Sequence, residues 1–152
     1  MKRRDIQEGT VFSVPLRNGQ YALGVVTRHA KSAVTVGCFF GPALDSEPEI
    51  VPELDPRDAV LVARFGDIPL VEEEWTVLGR LPGWNRAEWP SDFFLRGDPR
   101  RGGYLMQYDP HDPSVAVAQR PYSVQEGTSM PSDALHGYVI VQNRLGEALA
   151  AP

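Results

Sequence analysis

"GTVFSVPLRNGQYALGVVTRH", residues 9–29, decides the fold class of this 152-residue chain. Val11, Phe12, Val14 and Leu16 lead into Arg17-Asn18-Gly19-Gln20, and the chain returns through Tyr21, Leu23, Val25 and Val26. Two apolar runs about an Asn-Gly read as a β-hairpin, with Asn18 and Gly19 supplying the two positive-φ residues of a tight turn. Fourteen glycines and fourteen prolines point the same way, toward many turns and few long helices.

Working outward, "AVTVGCFF" (33–40) is a third strand. "GPALDSEPEIVPELDP" (41–56) is an acidic loop broken by four prolines, in which Ile50 and Val51 pair briefly. "DAVLVARFGD" (58–67) reads as a strand ending at Gly66, and "IPLVEEE" (68–74) as an acidic connector. "WTVLGRL" (75–81) alternates, with Trp75, Val77 and Gly79 on one face. Residues 83–103 carry Trp84, Trp89, Phe93 and Phe94 in a polar, proline-broken loop. Such aromatics either close as a lid on the core or stay exposed as a contact surface, and a lid is expected for Trp84 and Trp89. "GYLMQYD" (103–109) and "SVAVAQRPY" (114–122) form a second hairpin about Pro110-His111-Asp112-Pro113.

In residues 135–150 a four-residue apolar run suits a strand, yet Leu135, Tyr138, Val141, Leu145 and Leu149 recur at helical spacing. Ser132 and Asp133 are residues that cap helices, so the spacing predicts a helix beginning there. The expected fold is mainly β (α+β): a curved antiparallel sheet or small partly open barrel with one C-terminal helix, in a single domain over 1–152.

A formal charge of −5 argues against a nucleic-acid surface. The basic start, Met1-Lys2-Arg3-Arg4, reads as solvated, and Arg96, Arg100 and Arg101 are interrupted by Asp98. Cys38, the single cysteine, excludes an internal disulfide and a multi-cysteine zinc site, and its apolar neighbours make it a buried, inert thiol. No apolar run is long enough to span a membrane or to form a signal segment, which predicts a cytoplasmic protein. Hydrolase elbows, zinc-protease motifs, phosphate loops and dinucleotide fingerprints are absent. Asp109, His111 and Asp112, joined by His136 if the fold allows, are the only metal-like cluster; the preferred reading is a hairpin turn, with no metal and no cofactor. His29 is expected exposed at a strand end, and Asp55 and Asp58 flank no recognisable cleft. No reaction is named, and the chain is not expected to be an enzyme.

Gly9, Phe12, Pro15, Leu16, Gly19, Tyr21 and Gly24 in the first hairpin, followed by Gly66, Asp67, Trp75, Leu78 and Gly79, resemble the immunity protein 26 family of bacterial polymorphic toxin systems. That resemblance implies a small β-rich protein that binds and neutralises a cognate toxin protein. An acidic domain suits a basic partner, because complementary charge speeds encounter and enforces specificity. The candidate contact residues are Glu72, Glu73 and Glu74, then Glu47, Glu49 and Glu53, and the aromatics Trp84, Trp89, Phe93 and Phe94. Two other functions compete: a barrel-like binding module in which those four aromatics line a groove for a small ligand or peptide, and an enzyme centred on "DPHDP", residues 109–113. The oligomeric state is open.

Overall fold

The computed structural model describes residues 6–98, 101–122 and 130–150. The sequence-predicted basic start and Arg100 lie outside these residues. Strands β1 (Thr10–Pro15), β2 (Tyr21–His29), β3 (Val34–Leu44), β4 (Leu61–Gly66) and β5 (Thr76–Arg80) build one sheet, completed by the two-residue β9 (Leu135–His136). Its order is β5-β1-β2-β3-β4-β9, antiparallel except where β9 runs parallel to β4. Strands β6 (Phe93–Asp98), β7 (Gly102–Asp109) and β8 (Asp112–Tyr122) form a second, antiparallel sheet. Among the described residues, helices α1 (Ile68–Val71) and α2 (Tyr138–Ala150) accompany the sheets. The fold is mainly β with one C-terminal helix, and the sheets do not close into a barrel.

The first hairpin forms as predicted, but by a different turn. Gly19 N–H donates to the Leu16 carbonyl and Leu16 N–H to that of Gln20, enclosing a three-residue loop. Only Gly19 has positive φ, at 83°. Asn18 instead uses its side chain, whose carbonyl accepts from Gln20 N–H at 3.0 Å. A type I turn followed by a left-handed glycine is the second common solution for joining twisted strands.

Alternation along the strands gives the larger sheet two apolar faces. On one, Phe12, Phe39, Phe65 and Trp75 form an aromatic cluster that α2 covers with Val141 and Leu145. Phe12 stacks on Trp75 with ring centroids 5.5 Å apart and planes 6° from parallel. Gly24 makes room for it: a Cβ there would lie 2.4 Å from the Phe12 ring. On the opposite face Val11, Val25, Cys38 and Phe40 meet Leu81 and Trp89, while Val36 meets Phe94, Met106 and Tyr108 of the second sheet. Layers on both sides bury β2 almost throughout, whereas an antiparallel sheet open to water on one face would alternate.

Several expectations are corrected. Strand β3 continues through Pro42 to Leu44, and residues 50 and 51 lie outside any strand. β6 emerges from the aromatic loop and pairs antiparallel along its length with β7, which begins only four residues after β6 ends. A bulge at Leu78 turns Gly79 to pair with Val11, away from the Trp75 face, where Val51 packs over it. Helix α2 starts at Tyr138 rather than near Asp133. Leu135 and His136 pair with Arg64 and Phe65 instead, and Asp133 is consumed by a buried polar network.

Candidate functional site

The two loops on the face opposite α2 enclose an open cleft of about 750 Å³, lined by Glu53, Leu54, Asp55, Arg57, Asp58, Leu81, Pro82, Glu88 and Trp89 among others. One wall is the proline-broken segment after β3. Its start is tied to the first hairpin by Gln20, whose amide donates to Asp45 at 2.9 Å, and by Glu47, which accepts from the buried Ser13 hydroxyl at 2.9 Å. Its end is a single 3-10 turn, Pro56–Asp58, capped by Asp55. The Asp55 carboxylate accepts from Arg57 N–H at 2.9 Å and from the Arg57 guanidinium at 2.7 Å, bonds that pull its pKa down to about 2. Asp55 and Arg57 thus neutralise each other. Glu53, Asp58 and Glu88 have no ion-pair partner among the described residues, and they leave the cleft negative.

The other wall is the tryptophan loop. Leu81 N–H donates to the Gly9 carbonyl at 2.8 Å, and Gly9, at φ 85°, sits so close beneath Trp84 that a Cβ would fall 2.8 Å from the ring. Asn85 caps a second 3-10 turn, Arg86–Glu88, by accepting from Ala87 N–H. Arg86 anchors that turn by donating to Glu8 at 2.8 Å and to the Pro110 carbonyl. Trp89 meets Phe40 edge-on at 5.9 Å and Trp84 at 5.7 Å. With Trp89 2% exposed and Trp84 half-buried, both act as the expected lid.

The remaining candidates scatter. Glu47 is spent on Ser13, Glu49 is exposed outside the cleft, and only Glu53 of its group lines it. Glu72, Glu73 and Glu74 are exposed on the α2 side of the sheet, where Glu74 holds the Tyr138 hydroxyl and raises its pKa. Phe94 is fully buried between the sheets against Tyr108 and has no surface to offer a partner, whereas its neighbour Phe93 points outward at 43% exposure. The four aromatics therefore do not line one groove. Asp55 and Asp58, which flank nothing recognisable in sequence, do flank a cleft. Its other wall comes from residues 81–89, so no local pattern could have revealed it.

Other sequence candidates have local roles. The Asp109 and Asp112 carboxylates accept from the backbone N–H groups of His111 and Ser114, as turn residues do. Among the described residues no three His, Cys, Asp or Glu side chains are placed to share a cation. His29 is half-buried rather than exposed, bonded to the buried Asp67 at 3.0 Å. Arg96 pairs with Asp133 at 2.8 Å. Burial pushes the Cys38 thiol up to about 12, so it stays protonated and unreactive. No described helix is long and apolar enough to cross a membrane.

The family model described as immunity protein 26 matches residues 7–104, which hold β1 to β6 and both walls of the cleft. The chain belongs to the immunity protein 26 family. The match ends as β7 begins, leaving β8, β9 and α2 beyond it. No curated protein and no solved structure matches the chain. The residues that carried the family resemblance serve the architecture: Gly9 seats Trp84, Gly24 seats Phe12, Trp75 stacks on Phe12, and Asp67 ties β2 to the start of α1.

Proposed function

We propose that this protein is a non-enzymatic immunity factor, acting in the cytoplasm of a bacterium, that binds a cognate toxin and neutralises it by covering its working surface. The reading rests on family membership, and the negative cleft between the two loops supports it as the surface that meets the toxin. Glu53, Asp58 and Glu88 form its charged rim, and the exposed Pro82 supplies apolar surface beside them. Rim carboxylates of this kind act chiefly on encounter, raising the association rate with a basic partner in a salt-dependent way. The walls are held by Asp55–Arg57, Glu47–Ser13 and Arg86–Glu8, so little ordering remains to oppose binding.

The test uses the toxin that this reading expects to be encoded beside the gene. Glu53→Gln, Asp58→Asn and Glu88→Gln together leave the fold intact, because these side chains are exposed, and slow association at low ionic strength by about tenfold or more. Neutralising Glu72, Glu73 and Glu74 on the far face has a smaller effect. A triple cleft variant that associates as fast as the parent and still protects cells overturns the cleft as the contact surface. No measurable binding between parent and toxin overturns the function.

A further inference from the structure

β9 covers the outer edge of β4 only at Arg64 and Phe65. Before β9 the chain turns toward the second sheet, where Leu95 N–H donates to the Pro131 carbonyl at 2.7 Å and Asp133 N–H to that of Leu95 at 2.8 Å. Between that segment, the start of β4 and α2 lies a cavity of about 410 Å³, which shares no lining residue with the acidic cleft. Residues 60–62 and Pro131 give it apolar walls, and Ser132, His136 and Arg144 bring three polar side chains to it.

Each of the three can donate a hydrogen bond, and none has an acceptor among the described residues. His136 is registered beside Phe65, so its ring lies on the face of the sheet that α2 covers. It is 6% exposed, and neither ring nitrogen is bonded to a described residue. Neither nitrogen is sealed from solvent, which leaves the cavity as the ring's outlet. Buried polar groups ordinarily find partners within the fold, so an unpaired ring facing a cavity marks a place for a ligand. The Ser132 hydroxyl oxygen accepts from Ala134 N–H at 3.3 Å and keeps its own hydrogen to give. Arg144 is exposed on α2 with no carboxylate partner among the described residues. In a chain of net charge −5, no Asp or Glu among the described residues lines this cavity.

We infer that the cavity binds a small organic monocarboxylate, its apolar body against residues 60–62 and its carboxylate held by Arg144, His136 and Ser132. Volume sets the size of the ligand: small-molecule sites run from about 300 to 1,000 Å³, and an inorganic anion fills far less. Charge sets the head group. Burial, reinforced by Arg144, pulls the His136 pKa below its ordinary value, so at neutral pH the ring is uncharged and donates one N–H. Arg144 is then the permanent charge at the cavity among the described residues, which matches a monoanion, and its guanidinium fork suits the two oxygens of a carboxylate.

Titration with phenylacetate at neutral pH, followed by NMR of the backbone amides and of the His136 ring, tests the site. Saturable shifts are expected at residues 60–62, at residues 132–136 and in the His136 ring, and not at Glu53 or Glu88 in the cleft. Arg144→Gln is an exposed change that leaves the circular dichroism of the parent, and it weakens binding by about tenfold or more. Neutral phenylacetamide binds the parent more weakly than the acid by about the same factor. Inorganic phosphate moves the same resonances only at much higher concentration, since it leaves the apolar walls uncovered. No saturable shift with the acid at concentrations on the order of 10 mM overturns the proposal. Equal binding of acid and amide, or of parent and Arg144→Gln, overturns the charge pairing, and phosphate that binds as tightly as the acid overturns the organic ligand.

Discussion

Removing the Asp133 carboxylate should cost more stability than any surface change, because that group holds together three parts of the fold. It accepts from Arg96 at 2.8 Å and from the buried Tyr108 hydroxyl, and it lies 3.5 Å from the Arg64 guanidinium. Arg64 is itself buried, lies over the Tyr108 ring at 4.1 Å and near that of Phe94 at 5.9 Å, and donates to the carbonyls of Pro113 and of Asp133 itself. Asp133→Ala therefore leaves a buried cation without its counter-ion and a buried hydroxyl without its acceptor. Breaking a buried pair from one side costs about 3–5 kcal/mol. The surviving carbonyl bonds to Arg64 place this case near the lower figure, and the half-exposed Arg96 adds little. Asp133→Asn keeps an acceptor for Tyr108 and loses only the charge, so it should fall at roughly half that cost. For a chain of this size about 3 kcal/mol lowers Tm by roughly 6–12 °C. Urea unfolding gives the free energy, and hydrogen exchange should show the Leu95 and Asp133 amides losing protection, since those bonds fasten residues 131–133 to β6. An Asp133→Ala protein within about 1 kcal/mol of the parent would refute this account of how the sheets are joined.

Two glycines should respond in opposite directions to the same change. Gly24→Ala drives a methyl to within 2.4 Å of the Phe12 ring and should destabilise by about 1–3 kcal/mol, whereas Gly146→Ala in α2 meets open space and should stabilise by about 0.5–1 kcal/mol; thermal unfolding of both variants checks the contrast. The Asp55 carboxyl should titrate near pH 2 by carbon NMR and return toward the ordinary carboxylate range in Arg57→Ala, since the Arg57 bonds are what depress it. Because its folded pKa is lowered, whatever this pair contributes is present above the ordinary carboxylate pKa and is lost as pH falls through about 2.

What the sequence determined by itself are the features written in neighbouring residues. Alternation fixed the apolar faces of β1 and β2, Asn18-Gly19 fixed where the chain reverses, and Val141, Leu145 and Leu149 fixed which side of α2 meets the sheet. These follow from periods of two and of about 3.6, which need no knowledge of the rest of the chain. The tertiary structure decided what depends on residues far apart. Leu135 fits the helical spacing as well as Tyr138 does, yet pairing with Arg64 and the demand of a buried guanidinium for Asp133 hold that stretch extended and delay the helix. Phe93 and Phe94 are alike in sequence, and only the second sheet's packing buries one and exposes the other. The cleft belongs to the same class: Asp58 and Glu88 are thirty residues apart, and carboxylates so separated acquire a common field only when the two loops that carry them fold over one face of the sheet.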